Sequence, residues 1–126
     1  MRAILDTSVV IAADVAPLDG DLAISAVTLA ELHFGVLVAR TQAVRAERLR
    51  RLLVLERSFD ALSFDESVAA SYGRIASAVV DAGRKPRSRV MDLLIAATAH
   101  AHDARLYTRN PAYFHGLDDL VEVLAV

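Results

Sequence analysis

The chain has 126 residues, 55% of them apolar, with a net charge of −2 and no cysteine. That is the size of one domain, residues 1–126, able to bury roughly two thirds of its unfolded surface, and it excludes disulfides and thiolate zinc sites. The mild acidity argues against a protein that coats nucleic acid, and no apolar run approaches the roughly 18 residues of a membrane span.

Ala3-Ile4-Leu5 predicts a buried first strand, ended by Asp6-Thr7-Ser8, with a short helix from Val9 to Ala13. Asp6 also cuts the apolar start too early for a secretory signal, so a soluble, cytoplasmic protein is expected. Leu22 to Ile24 predicts a second strand. Ser25 is a good N-cap for a helix over 27–39, and a further helix spans 42–57. On that helix Arg45, Arg48 and Arg51 line one side, Ala46, Leu49, Leu52 and Leu53 face inward, and Glu47 pairs with Arg51. The stretch 59–64 is loop and then strand. Asp65 caps a long helix through Ala82, which Gly83 ends. A basic loop, 83–87, leads to a helix over 88–102. Leu106-Tyr107-Thr108 and the stretch 120–125 are the last strands. This alternation predicts a three-layer α/β/α fold with a mainly parallel central sheet. So much apolar content in so small a chain predicts an apolar surface that meets a partner.

Three acids sit in apolar surroundings: Asp6 after the first strand, Glu31 within Ala26–Leu32, and Asp92 within Val90–Ala97. Burying a lone carboxylate is costly, so each needs a compensating partner. One divalent cation bound by all three meets that need, and hard oxygen ligands suit Mg²⁺ or Mn²⁺. A residue just past a parallel strand lies in the crevice where such sheets bind ligands. Gly35, Ala96 and Ala99 are small residues expected to let helix and strand approach closely. Each acid also has a plainer explanation: Asp6 as a helix cap, Glu31 and Asp92 as solvent-facing residues. The three together argue more strongly than any one.

These residues resemble the PIN-domain family, especially its VapC-type toxins, over the whole chain. The matching pieces are Asp6-Thr7-Ser8, Glu31-Leu32-His33-Phe34-Gly35, Gly83 and Pro86 leading to Asp92–Ala99, and Leu106–Asn110 leading to Phe114. The resemblance implies an endoribonuclease with a metal held by Asp6, Glu31 and Asp92, leaving 5′-phosphate and 3′-hydroxyl ends. It also implies a homodimer, silenced by an antitoxin that covers the site. Asn110 occupies the fourth position, often aspartate in the wider family, and being neutral it favours one metal over two.

In that reading Asp6 and Asp92 hold the metal, which activates a water, and Glu31 orients that water. Thr7, Ser8 and Thr108 are placed to hydrogen-bond the ligand carboxylates. Of the 14 basic residues 13 are arginine, whose fork suits phosphate. Arg84, Lys85, Arg87 and Arg89, just ahead of the Asp92 helix, are candidate RNA contacts, and Tyr113 is a candidate for stacking on a base. The four histidines lack zinc-site spacing. Two rivals stand. A phosphoacceptor or phosphatase domain also places Asp after a strand, but the phosphatase pattern wants a second Asp where Ser8 stands. A non-catalytic binding module keeps the fold without the chemistry; retention of the three acids argues against it, and Asn110 keeps it alive.

Overall fold

A computed structural model describes residues 1–12 and 14–126. The elements run β1 (Arg2–Leu5), α1 (Thr7–Val10), β2 (Asp21–Ser25), α2 (Ala26–Leu37), α3 (Gln42–Ser58), β3 (Asp60–Leu62), α4 (Glu66–Asp81), α5 (Val90–Ala101), β4 (Arg105–Thr108) and β5 (Val123–Ala125), with one-turn 3-10 helices at Pro86–Arg89 and Pro111–Phe114. The five strands form one parallel sheet in the order β3-β2-β1-β4-β5.

Strand side chains alternate between faces, and here both faces are covered. Ile4, Ala23 and Leu106 point into a core shared with Val68, Ile75 and Val79 of α4 and Leu93, Ile95 and Ala96 of α5. Their chain neighbours Ala3, Leu5, Ile24 and Tyr107 point the other way, against Val9 and Val10 and beside Leu29, Leu32 and Leu55 of α2 and α3. That gives the expected α/β/α layering. It also explains why Ala3-Ile4-Leu5 in β1 reads as a continuous apolar run rather than an alternating one. Truncating a fully buried residue such as Leu106 to alanine is expected to cost about 2–5 kcal/mol.

The helix caps follow the sequence. Ser25, Thr41 and Asp65 each accept a backbone N–H at the start of α2, α3 and α4. Gly83, at φ +78, ends α4: its N–H bonds to Val80 O and that of Arg84 to Val79 O, a closure that needs the left-handed conformation.

Several expectations shift. The first helix starts at Thr7, because Asp6 O already accepts from Val9 and Val10, and it ends at Val10; the expected end at Ala13 lies outside the described residues. α2 stops at Leu37. The basic loop winds into the 3-10 turn Pro86–Arg89, and Arg89, at φ −143, breaks it from α5, which starts at Val90 rather than Ser88. The last strand loses Leu120 and Val121, whose N–H groups turn back to Leu117 O. On α3 the expected inward set was wrong. Only Leu52 is buried, while Leu49 and Leu53 are 44% and 48% exposed and Ala46 is exposed. The helix is instead tethered through its arginines, which donate to the carbonyls of Leu37, Gly35 and Ile11 from Arg45, Arg48 and Arg51. Glu47 pairs with Arg50, not Arg51.

Candidate active site

β1 lies at the point where the strand order reverses, with β2 and β3 on one side and β4 and β5 on the other. A crevice opens there beyond the carboxyl ends of the strands. Asp6, the first residue past β1, donates its N–H to Tyr107 O on β4 at 2.9 Å. Its side chain is 3% exposed and does not cap α1, although it occupies the N-cap position. Two hydroxyls hold it instead. Ser8 Oγ donates to Asp6 Oδ2 at 2.7 Å, and Thr108 Oγ1 donates to the same oxygen at 2.8 Å. Each hydroxyl accepts in turn from the strand-end backbone, Ser8 from Arg109 N–H and Thr108 from Asn110 N–H. Every donor goes to Oδ2. Asp6 Oδ1 is buried with no hydrogen-bond partner among the described residues.

Glu31 reaches this crevice from α2. Thr7 Oγ1 donates to Glu31 Oε1 at 2.7 Å and stands 2.9 Å from Thr28 Oγ1. Since the Thr7 proton goes to Glu31, Thr28 supplies the proton of the second bond. Asp92 enters from the first turn of α5. Burial pushes its carboxyl up to about 6, the charges of Asp6 and Glu31 push the same way, and Arg89 pulls against them. Arg89 Nη1 lies 3.9 Å from Asp92 Oδ2. The three acids therefore share one electrostatic environment. As placed they are not a closed ligand set: among the described residues, no three His, Asp or Glu side chains group tightly enough to hold a metal ion. Glu31 is drawn to Thr7, and Asp92 has Arg89 beside it.

The donor chemistry fits a hard dication all the same. An unpartnered buried carboxylate oxygen is costly unless something positive completes it. A carboxyl raised by burial and then by its acidic neighbours is what a cation between them would bring back down. Asn110, the neutral fourth position, gives its backbone N–H to Thr108, and its side-chain amide makes no hydrogen bond among the described residues.

The four candidate RNA contacts divide. Arg84 donates to the carbonyls of Ala112 and His115, tying the basic turn to the Pro111–Phe114 turn. Arg89 stacks on Tyr113, 3.4 Å from the ring centre, so that face of Tyr113 is taken. Lys85 and Arg87 make no side-chain bond among the described residues. Gly35 also differs from expectation. A Cβ there would meet nothing within 4 Å, so it does not serve close helix–strand packing. It lines a cleft of about 530 Å³ between α1, α2 and α3, which Thr7 and Glu31 also line. The close-packed small residues are Ala96 and Ala99, both fully buried.

Sequence reasoning missed Thr28, whose one signal was its place a helical turn before Glu31. It missed Thr98, whose hydroxyl on α5 lies 3.3 Å from that of Ser25 at the end of β2. It also missed the Arg109–Asp14 ion pair at 2.6 Å, where the Arg109 hydrogen bond and charge hold the Asp14 carboxyl below its usual range. Nothing local in the sequence signals a pair 95 residues apart.

Residues 3–119 match the family model for the PIN domain. The chain is 36% identical to Ribonuclease VapC5 of Mycobacterium tuberculosis, over 95% of this chain and 90% of that one. It is 35% identical to Ribonuclease VapC4 of the same organism, over 99% and 97%. Among solved structures, VapBC-5 of M. tuberculosis, a member of the VapBC family of toxin–antitoxin systems, superposes with a TM-score of 0.82 at 34% identity, covering 99% of this chain and 97% of that one. The chain belongs to the PIN-domain family.

Proposed function

We propose that this chain is a metal-dependent endoribonuclease, the toxin half of a toxin–antitoxin pair, working on RNA in the cytoplasm with Mg²⁺, or Mn²⁺ in its place. The observation that carries the reading is the buried Asp6 carboxylate with one oxygen unpartnered, in the same field as Glu31 and Asp92. The likeness to proteins named ribonucleases supports it.

Asp6 Oδ1 and the Asp92 carboxylate would hold the ion directly, and Glu31 would hold it through a water. When bound, it supplies charge against a phosphate oxygen and lowers the pKa of a water. Ser8 and Thr108 fix the Asp6 carboxylate by both bonding Oδ2, which leaves Oδ1 directed by default. Thr7 fixes Glu31 through Oε1, so Oε2 is the atom left to orient the attacking water and take its proton. The water oxygen bonds to phosphorus, the bond from phosphorus to the 3′ oxygen breaks, and the proton ends on that oxygen. The products are a 5′-phosphate and a 3′-hydroxyl. Asn110 adds no charge at the rim, which suits one ion rather than two.

The proposed antitoxin has an apolar surface to cover. Phe34 and Leu37 on α2 and Val38 just after it are 67%, 70% and 51% exposed, and Val54 on α3 is 55% exposed; exposed apolar side chains of this kind suit a partner's surface. A homodimer is proposed as the working unit. No described helix is long and apolar enough to cross a membrane.

The test is cleavage of RNA by the purified chain with Mg²⁺ or Mn²⁺, with EDTA, and with Asp92→Asn. Cleavage abolished by EDTA and lowered at least about 100-fold by the substitution is expected, the upper end of what outer-shell changes cost at metal sites. An intact chain that binds RNA without cutting it in either metal would make it a binding module instead.

A further inference from the structure

Beside the acid cluster lies a second cavity, of about 270 Å³, between the end of α4, the basic turn and α5. Its floor is apolar, Val79 and Leu93, and its wall carries Arg84, Lys85, Ser88, Arg89 and Tyr113. No acid lines it. At about 270 Å³ the cavity lies just under the roughly 300 Å³ at which clefts for small ligands begin, so it takes part of one nucleotide, the rest lying across its open mouth, and not a partner's helix.

The three cations are not equivalent. Arg84 is committed to two carbonyls and contributes charge without a free fork. Arg89 lies flat on Tyr113 and faces Asp92 at 3.9 Å, so one side chain borders both the cavity and the acid cluster. Lys85 and Ser88 are exposed, and neither side chain has a partner among the described residues. Their ammonium and hydroxyl are the free donors of the cavity. α5 also starts without a side-chain cap, so no side-chain oxygen competes for the N–H groups of its first turn.

We infer that this cavity is a subsite for one nucleotide of a single-stranded RNA substrate, adjacent to the nucleotide whose phosphate is cut, with Lys85 and Ser88 binding its backbone phosphate. The inference rests on the nuclease reading above and extends it. Positive wall, free donors and lack of acids select a phosphodiester. The shared Arg89 makes the cavity continuous with the acids, as a strand passing from one to the other requires. A cavity of this size takes an unstacked residue of a single strand rather than a duplex. The Arg89–Tyr113 stack gives the cavity a planar wall, against which that nucleotide packs.

The test uses a labelled single-stranded 2′-O-methyl oligoribonucleotide, titrated in Mg²⁺ onto the Asp6→Asn protein at several NaCl concentrations. Lys85→Gln in that background is expected to weaken binding about fivefold and to flatten the slope of log K against log salt by about 0.7, the share of one phosphate contact on a single strand. Ser88→Ala is expected to weaken binding about twofold with the slope unchanged, because it removes a neutral donor. Arg57→Gln, outside the cavity, is expected to change neither. Equal affinity and slope for Lys85→Gln and its parent overturn the subsite, as does tight binding of inorganic phosphate or an acidic peptide that the oligonucleotide cannot displace. With Asp6 intact, Lys85→Gln is expected to raise KM more than it lowers kcat relative to the unsubstituted chain. Failure of that chain to cleave RNA, with the salt slopes as expected, sinks the nuclease reading and leaves the subsite standing. Cleavage with unaltered slopes does the reverse.

Discussion

Thr108 and Asp6 are 102 residues apart in the chain, yet the Thr108 hydroxyl donates to Asp6 Oδ2 at 2.8 Å. The bond joins the ends of two neighbouring parallel strands, and the Asn110 N–H behind it polarises the donor. Thr108→Val keeps the shape and removes both bonds. It is expected to cost about 1–2 kcal/mol, because the buried Asp6 carboxylate loses a donor and the half-buried Asn110 N–H its acceptor, and to weaken Mg²⁺ binding about 10- to 100-fold. Thr108→Ser should restore most of both. Thermal unfolding and Mg²⁺ titration read the two effects, and a valine variant with unchanged Mg²⁺ affinity would show that Ser8 alone positions Asp6.

Thr7 stands between Thr28 and Glu31 and passes a hydrogen bond from one to the other. Thr7→Val cuts the relay and frees the Glu31 carboxylate to rotate. The expected result is a kcat about tenfold lower or more, within the range for outer-shell partners, with KM for RNA little changed. Loss in KM alone would mean that Thr7 serves substrate binding and not Glu31.

The α/β/α order was legible because each element carries its own signal. Ser25 and Asp65 cap helices and Gly83 ends one, while Ala3 to Leu5 of β1 is an unbroken apolar run. Asp6, Glu31 and Asp92 stood out because acids are costly in apolar stretches. What stayed hidden depends on contacts between distant segments. The 3-10 turn Pro86–Arg89 straddles the expected loop, 83–87, and the expected helix start at 88, because proline suits the first turn of a helix as well as a loop. The α3 face was misread because its leucines suggested a core stripe, while the arginines make the tethers by hydrogen bonds to carbonyls. Periodicity cannot report that. Gly35 looked like a packing glycine, yet it borders an open cleft.

Two glycines are expected to respond in opposite ways to alanine. Gly20 has φ +114, and a Cβ there would sit 2.8 Å from the Met1 carbonyl oxygen, beside the bond from Asp21 N–H to that same oxygen. Gly20→Ala is expected to destabilise by about 1–3 kcal/mol, from backbone strain and the clash together. Gly35 lies inside α2 with free space around it, so Gly35→Ala is expected to stabilise the free chain by up to about 1 kcal/mol through helix propensity. Urea unfolding of the two variants against the parent decides this. If Gly35→Ala destabilises, the cleft beside Glu31 is tighter than the geometry indicates.

The raised carboxyl of Asp92, at about 6 against an ordinary 3.8, predicts how pH acts on the metal-free chain. The folded state holds this proton more tightly than the unfolded chain does. The resulting stabilisation is complete below about pH 4 and is lost as pH rises through about 6. In EDTA, then, the Asp92 contribution to stability is expected to decline between pH 4 and pH 7. A dication competes with the same proton, so the rise in Tm on adding Mg²⁺ should be larger at pH 7.5 than at pH 5.5. Glu31→Gln removes one of the charges that raise Asp92 and should shrink that difference between the two pH values. An equal Mg²⁺ effect at both would mean that Asp92 does not surrender its proton to the metal, and its place among the ligands would be lost.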